Sequence, residues 1–278
     1  MVDSHVHLWD PTVFRMPWLD GDELLNRPYR LADFDQHTHG LVESIVYMQV
    51  DVTPAYGLLE ARWAAAQAEC DPRLTTIVAW APLEDGRVAD SYLSSLTSID
   101  SRIKGVRRLF QSEQDPEFPV RPGVLEGLRR LPRYGLSFDI CIRHDQLART
   151  IDMVRACPDT AFVLDHLAKP PIRARQLEPW RAQISELASL PNVSAKISGL
   201  VTEADHERWT PDDLAPYVAH ALASFGEDRV MFGGDWPVVT HASSYTRWLG
   251  TLAELTASRS AEAQDKLWRR NARRFYRC

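Results

Sequence analysis

Eight short runs rich in β-branched and aliphatic residues recur along this 278-residue chain. They are Val2–His7, Ser44–Val50, Thr75–Pro82, Ile103–Gln111, Leu136–Arg143, Ala161–His166, Asn192–Ser198 and Arg229–Asp235. Successive starts are separated by about the length of one βα unit. The gaps carry helical periodicity. Ala55–Cys70 puts Leu58, Leu59, Trp63 and Ala66 on one side, and Leu147–Cys157 and Gln176–Leu190 alternate apolar pairs with arginine and glutamate. Pro158, Pro191 and Gly226 stand where these helices should stop. Strands alternating with helices imply a parallel sheet, and eight such units imply an α/β chain closed into a single (β/α)8 TIM barrel. An open doubly wound sheet is the alternative. It would carry a glycine-rich phosphate turn after its first strand, and none is present. No linker-like stretch divides the chain, so residues 1–278 are expected to form one domain.

Composition narrows the function classes. The formal net charge is −6, which offers no basic footprint for nucleic acid. No run of 18 apolar residues and no charged-then-apolar leader pattern occurs, so a cytoplasmic protein is expected. Cys70, Cys141, Cys157 and Cys278 lack metal-knuckle spacing and read as reduced, mostly buried thiols. Oligomeric state is left at monomer or homodimer.

Chemistry in such a barrel gathers at the C-terminal ends of the strands. The first strand ends in His5-Val6-His7, whose imidazoles share one face because strand side chains alternate with period 2. Neutral imidazole is a common ligand for a transition metal, which makes the pair a candidate half-site. A second pair, His37-Thr38-His39, lies in a polar helix or loop where residues two apart do not face each other, and reads as solvated surface. Tyr47 and Gln49 end strand 2, and Arg107, Arg108 and Gln111 end strand 4. Arg143 and His144 follow strand 5, His166 and Lys169 follow strand 6, and Lys196 and Ser198 belong to strand 7. Strand 8 closes on Gly233-Gly234-Asp235-Trp236-Pro237. Asp235, facing two histidines, can ligate a metal and take a proton from water. Its structural alternative is a helix N-cap. His166 after a wholly apolar run reads as a third imidazole of the site, against a histidine bound to carbonyls in the core. Asp165, one residue earlier, points to the other face and anchors the strand.

With His5 and His7 on strand 1, His166 on strand 6 and Asp235 on strand 8, the chain resembles the amidohydrolase superfamily. Asp165-His166-Leu167-Ala168-Lys169-Pro170 and Gly234-Asp235-Trp236-Pro237 are similar to the sugar-lactonase branch in particular, which includes L-fuconolactonase, L-rhamnonolactonase and pyrone-dicarboxylate lactonases. The resemblance spans nearly the whole chain. Binuclear members carry a carboxylated lysine on strand 4 and a histidine on strand 5. Here those stretches read Arg107-Arg108 and Asp139-Ile140-Cys141-Ile142-Arg143, so no two-metal centre is expected. The resemblance leaves open one divalent ion, zinc or manganese, on His5, His7 and Asp235, or no metal at all.

What the resemblance implies is a carboxylic-ester hydrolase that opens a sugar lactone to its aldonic acid. Asp235 would deprotonate water and later protonate the departing ring oxygen. His5, His7 or an ion they hold would polarise the carbonyl, and His166 would orient the water or share the oxyanion. Arg107, Arg143 and Lys196 would grip substrate oxygens, Trp9, Gln49 and Trp236 would shape the pocket, and Lys169 would contribute to it. Each cation has an alternative use, pairing with a barrel carboxylate such as Asp139, and Lys169 could cap a loop. Trp18–Arg30 reads as a long loop placed to cover the pocket. Rival readings are a metal-dependent decarboxylase of an aromatic or unsaturated acid, a pyrone or muconolactone hydrolase, and a non-catalytic carbohydrate-binding barrel.

Overall fold

In the computed structural model, which describes residues 1–278, every one of the eight runs forms a strand. They are β1 (Val2–Val6), β2 (Ser44–Met48), β3 (Leu74–Ala79), β4 (Ile103–Leu109), β5 (Ser137–Cys141), β6 (Phe162–Leu164), β7 (Val193–Ile197) and β8 (Val230–Phe232). Neighbours pair in parallel in chain order from β1 to β8. Closure comes just beyond the strands. Asp235 donates its backbone N–H to the His5 carbonyl at 2.8 Å, and His7 donates to the Trp236 carbonyl at 2.8 Å. The sheet is thereby a barrel, with the last residues of β8 beside those of β1.

Eight main helices follow the strands: α1 (Leu31–Thr38), α2 (Gly57–Cys70), α3 (Ala89–Thr97), α4 (Pro122–Leu128), α5 (Leu147–Ala156), α6 (Trp180–Ala188), α7 (Pro211–Phe225) and α8 (Tyr245–Thr256). Gly226 caps α7 at φ 72°, a left-handed conformation that favours glycine. The expected apolar side of α2 is incorrect. This helix buries Ala61, Ala64, Ala65 and Ala68 together with Glu60, while Leu59 is 48% exposed. Small residues let α2 approach β2 and β3 closely, and that contact carries Glu60 inside.

After α9 (Ala261–Asp265), the C-terminal helix α10 (Asn271–Tyr276) lies under the N-terminal end of the barrel. Arg277 donates to the carbonyls of Lys104 and Gly135, at the starts of β4 and β5. Tyr276 and Ala272 pack with Val46, Met48, Val78, Val163 and Met231 into a small apolar cluster. The opposite end is left for the site. No helix is long and apolar enough to cross a membrane. All four cysteines are free; Cys141 and Cys157 are buried, Cys70 is exposed and Cys278 is half-buried.

Candidate active site

The end of β1 sends His5 and His7 to the barrel interior, while Asp3, before a register shift in the strand, faces Tyr245 of α8; all three are buried. His7 Nδ1 lies 3.0 Å from the Met48 carbonyl, which can only accept, so the ring proton sits on Nδ1 and Nε2 offers a lone pair. The Nε2 atoms of His5 and His7 are 3.2 Å apart. Asp235 Oδ1 completes the group, 3.7 Å from His5 Nε2, 3.6 Å from His7 Nε2 and 3.9 Å from His166 Nε2. The carboxylate and three imidazoles expected from the sequence converge.

Backbone conformation sets the two loop-borne members. Asp235 has φ 54°. His166, Leu167, Ala168 and Lys169 form a left-handed turn, with φ between 49° and 61° at all four. Such residues cost about 1–2 kcal/mol each outside glycine, and persist only where the surroundings over-determine them. Ser198 Oγ holds His166 Nδ1 at 2.9 Å. Gly199 passes so close that an added Cβ would lie 2.6 Å from His166 Nδ1 and 2.8 Å from Asp235 Oδ2. Behind the strand-8 loop, Asp3 accepts from Gly234 N at 2.8 Å, His5 N at 3.0 Å and the Tyr245 hydroxyl at 2.8 Å. Burial nonetheless pushes the Asp3 carboxyl up to about 6.

Electrostatics divide the group into one carboxylate and three neutral rings. Burial lowers His5 and His7, and brings His166 down to about 4 despite Asp235 and Asp165. Burial alone would raise Asp235, but the imidazoles of His166, His7 and His5 around it outweigh burial and hold the carboxyl below its usual range. Near neutral pH the arrangement is one carboxylate among neutral imidazoles.

A second charged layer lies beneath. Asp165 corrects the sequence expectation, because its side chain turns inward. The strand ends at Leu164, and the left-handed turn at His166 breaks the alternation that would have placed the two on opposite faces. Asp165 Oδ1 is 3.4 Å from His5 Nδ1 and 3.0 Å from Lys196 Nζ, and its Oδ2 is 3.6 Å from Arg107 Nη1. Burial pushes Asp165 up, but Lys196 and His5 prevail and hold it well below the usual carboxylate range. Lys196 also reaches Asp139 at 2.5 Å, and Tyr276 donates to the same carboxylate.

A cavity of about 330 Å³ opens above Asp235, within the range of small-molecule sites. His7, His166, Asp235, Arg107, Trp9 and Lys169 line it. Several expected contacts lie elsewhere. Lys196 is fully buried behind His5, consumed by the two aspartates. Gln49 is buried, and its side-chain oxygen accepts from Asp51 N. Trp236 turns outward, edge-on to Tyr29 and Phe34, because the bend after Gly234 reverses the face it presents. Arg143 stands in a neighbouring cleft, with its side chain 63% exposed. His37 packs on Trp236 at the end of α1 and His39 is its exposed cap, so this second pair forms no site.

Residues not anticipated include Asp3, Asp51, Trp18 and Gly199. Asp3 lies before the register shift in β1, so the alternation that brings His5 and His7 together does not reach it. Asp51 and Gly199 each follow directly on a strand-end residue that had been singled out. Trp18 lines the cavity from the loop expected to cover it, and its indole N–H donates to the Val50 carbonyl at 2.8 Å. Glu60 supports that edge from below, accepting from Val50 N at 2.6 Å and the Tyr47 hydroxyl at 3.0 Å.

His5, His166 and Asp235 offer ligand atoms within 4.8 Å of one another, and His7 Nε2 lies 3.2 Å from His5 Nε2 and 3.6 Å from Asp235 Oδ1. The spacings from Asp235 to the three imidazoles and between His5 and His7, 3.2–3.9 Å, are close to the tetrahedral edge of about 3.3 Å implied by zinc–ligand bonds near 2 Å. The donor set therefore fits one divalent ion. Arg107 Nη1, 3.3 Å from His5 Nε2, places a fixed cation beside it and moderates its affinity. A second grouping, Cys141, Asp165 and His166, fits poorly. Its carboxylate already faces Lys196 and Arg107, whose charges would repel a dication.

Comparison with known proteins agrees with this architecture. An uncharacterized protein of Sinorhizobium fredii is 30% identical over all of this chain and 98% of its own length. L-fucono-1,5-lactonase of Burkholderia ambifaria is 30% identical over 99% of this chain and 95% of its own. The crystal structure of an amidohydrolase from Burkholderia multivorans with bound zinc superposes with a TM-score of 0.89, at 28% identity, covering 99% of this chain and 98% of that one. The amidohydrolase profile matches residues 2–278, and with barrel, strand-end histidines and aspartate in place the chain belongs to the amidohydrolase family.

Proposed function

We propose that this protein is a lactonase that opens a sugar lactone by adding water, with Asp235 as the general base. One observation carries the reading. An ionised carboxylate stands at the floor of a small-molecule cavity, with its Oδ1 within 3.9 Å of three neutral imidazoles. The likeness to L-fucono-1,5-lactonase over 99% of the chain supports this choice of reaction.

Asp235 takes a proton from water as the water oxygen attacks the lactone carbonyl. The ring C–O bond then breaks, and the proton on Asp235 passes to the departing ring oxygen. The carboxylic acid so formed loses its proton to solvent, leaving a carboxylate and a free hydroxyl on one chain. His166, fixed by Ser198, orients the water, and Arg107 presents a guanidinium to the oxygen that gains charge. Trp9 and Trp18 pack at right angles, 5.4 Å between ring centres, and give the ring of the substrate an apolar wall. The zinc of the Burkholderia multivorans relative makes zinc the ion of choice for His5, His7, His166 and Asp235, where it would supply Lewis-acid charge beside the carbonyl.

The test is a pH-indicator assay of proton release on aldono-1,4- and 1,5-lactones, muconolactones and pyrone dicarboxylates. Fast hydrolysis of one stereochemical set is expected. Silence across the panel, with CO₂ released from aromatic acids, would overturn the reading in favour of the decarboxylase.

A further inference from the structure

The cavity above Asp235 continues past its rim. Gln111, Ser112 and Lys169 line it, and the same three residues line a second cleft of about 420 Å³. The two spaces share a wall, so a molecule seated over Asp235 can extend from one into the other. Arg143, Arg173 and Glu203 supply the rest of the cleft's charge. With Lys169 this makes three cations and one carboxylate.

The lack of partners sets these cations apart. Arginines on the outer helices are mostly tied up, Arg149 to Glu117 at 2.7 Å and Arg155 to Glu186 at 2.6 Å. Lys169 and Arg173 make no side-chain hydrogen bond or ion pair, and Arg143 has only a 4.0 Å contact with exposed Asp145. Glu203, in the same cleft, pairs with none of them. The position of Lys169 is also imposed. It ends the left-handed turn that begins at His166, with φ 51°, and that turn sets the base-facing histidine and the cleft-facing lysine together. Lys169 stands at the seam between the two spaces.

We propose that this cleft is an anion subsite, and that the preferred lactone bears a carboxylate on the part of the molecule projecting beyond the ring being opened. The inference rests on the lactonase reading above. Guanidinium forks match a carboxylate in two-point contact, and Lys169 adds a point charge where substrate passes from ring to tail. Glu203 disfavours a multiply charged group and offers an acceptor to a hydroxyl next to the carboxylate. Ser112 and Gln111 provide uncharged polar contacts along the way.

Matched pairs decide the matter: aldono-lactones and the aldaro-lactones of the same stereochemistry, which differ by a terminal carboxylate. Wild type and the double variant Arg143→Gln/Arg173→Gln are assayed at low and high salt. The wild type is expected to favour the acid-bearing member at least 10-fold in kcat/KM, with the preference carried by KM, eroded by salt and lost in the double variant. Hydrolysis of both members without preference, or a preference that survives in the double variant, overturns the subsite and leaves the lactonase standing. If neither member is hydrolysed, calorimetry with the ring-opened dicarboxylate and monocarboxylate separates the two claims. Binding of the dicarboxylate alone, abolished by the double variant, keeps the subsite while the lactonase falls. Equal binding, or none, overturns the subsite as well.

Discussion

Asp3 accepts the backbone N–H of Gly234 at 2.8 Å, so a single buried carboxylate on β1 fixes the loop that carries Asp235. The same residue accepts from the backbone N–H of His5, the first of the histidine pair. Asp3 touches no cavity wall, yet it sets the distance between Asp235 and two of its imidazoles. Asp3→Asn should lower kcat by about 10–100-fold with little change in KM, the size of effect seen when a supporting partner of a site is altered. Steady-state kinetics beside a melting curve checks this; a change in KM alone would contradict it.

Gly199 is the closest backbone approach to the site. An alanine there would press a methyl onto His166 and Asp235 and would hold φ 61°, which side chains other than glycine rarely adopt. Gly199→Ala should cut kcat/KM by at least about 100-fold, far beyond what its stability loss of roughly 1–2 kcal/mol explains. Activity and thermal unfolding of the same sample make the comparison. Activity within about threefold of wild type would show that the gap tolerates a methyl.

Lys196 neutralises two buried aspartates and has no surface on the cavity. Lys196→Met should therefore destabilise the fold by about 3–5 kcal/mol, the cost of stranding buried charge. The double variant Lys196→Met/Asp139→Asn should recover part of this. Denaturant titration of the set checks the coupling. A pure KM effect in Lys196→Met at unchanged stability would return this lysine to the substrate.

Glu60 gives stability a pH dependence of known sign. Burial pushes its carboxyl from 4.5 up to about 7 in the folded chain. Between those values the unfolded chain gives up a proton that the folded chain keeps. The contribution of Glu60 therefore declines as pH rises from about 4.5 to 7 and is level above. Glu60→Gln, which keeps an acceptor for Val50 and Tyr47, should remove this decline, worth up to about 3 kcal/mol by pH 8. Unfolding free energies at pH 5 and pH 8 for both proteins test it, and parallel losses in the two would contradict it.

Much of this was legible in the sequence. All eight strands were, because each is a short β-branched run ended by a break in pattern, and a parallel barrel strand buried on both faces leaves just such a trace. His5, His7, His166 and Asp235 were legible as polar residues following apolar runs. That Asp165 and His166 both face inward was not, since the strand's alternation places the first and a left-handed turn of four residues without a glycine brings in the second, and sequence gives no cue for that turn. Trp236 and Lys196 were misplaced for related reasons. One lies just past a bend that reverses alternation, and the other is claimed by Asp139 and Asp165 from two neighbouring strands. The buried face of α2 was misread because alanines, carrying little hydrophobic weight, make the closest contact with the sheet.

The account turns on Asp235 as the base, and Asp235→Asn tests it most directly. The amide keeps the size and removes the proton acceptor. With the most reactive lactone of the panel, kcat should fall by at least about 1000-fold, while the melting temperature and the affinity for the ring-opened product stay within a few degrees and a few fold of wild type. Turnover within tenfold of wild type would place the base elsewhere in the cavity and contradict the mechanism.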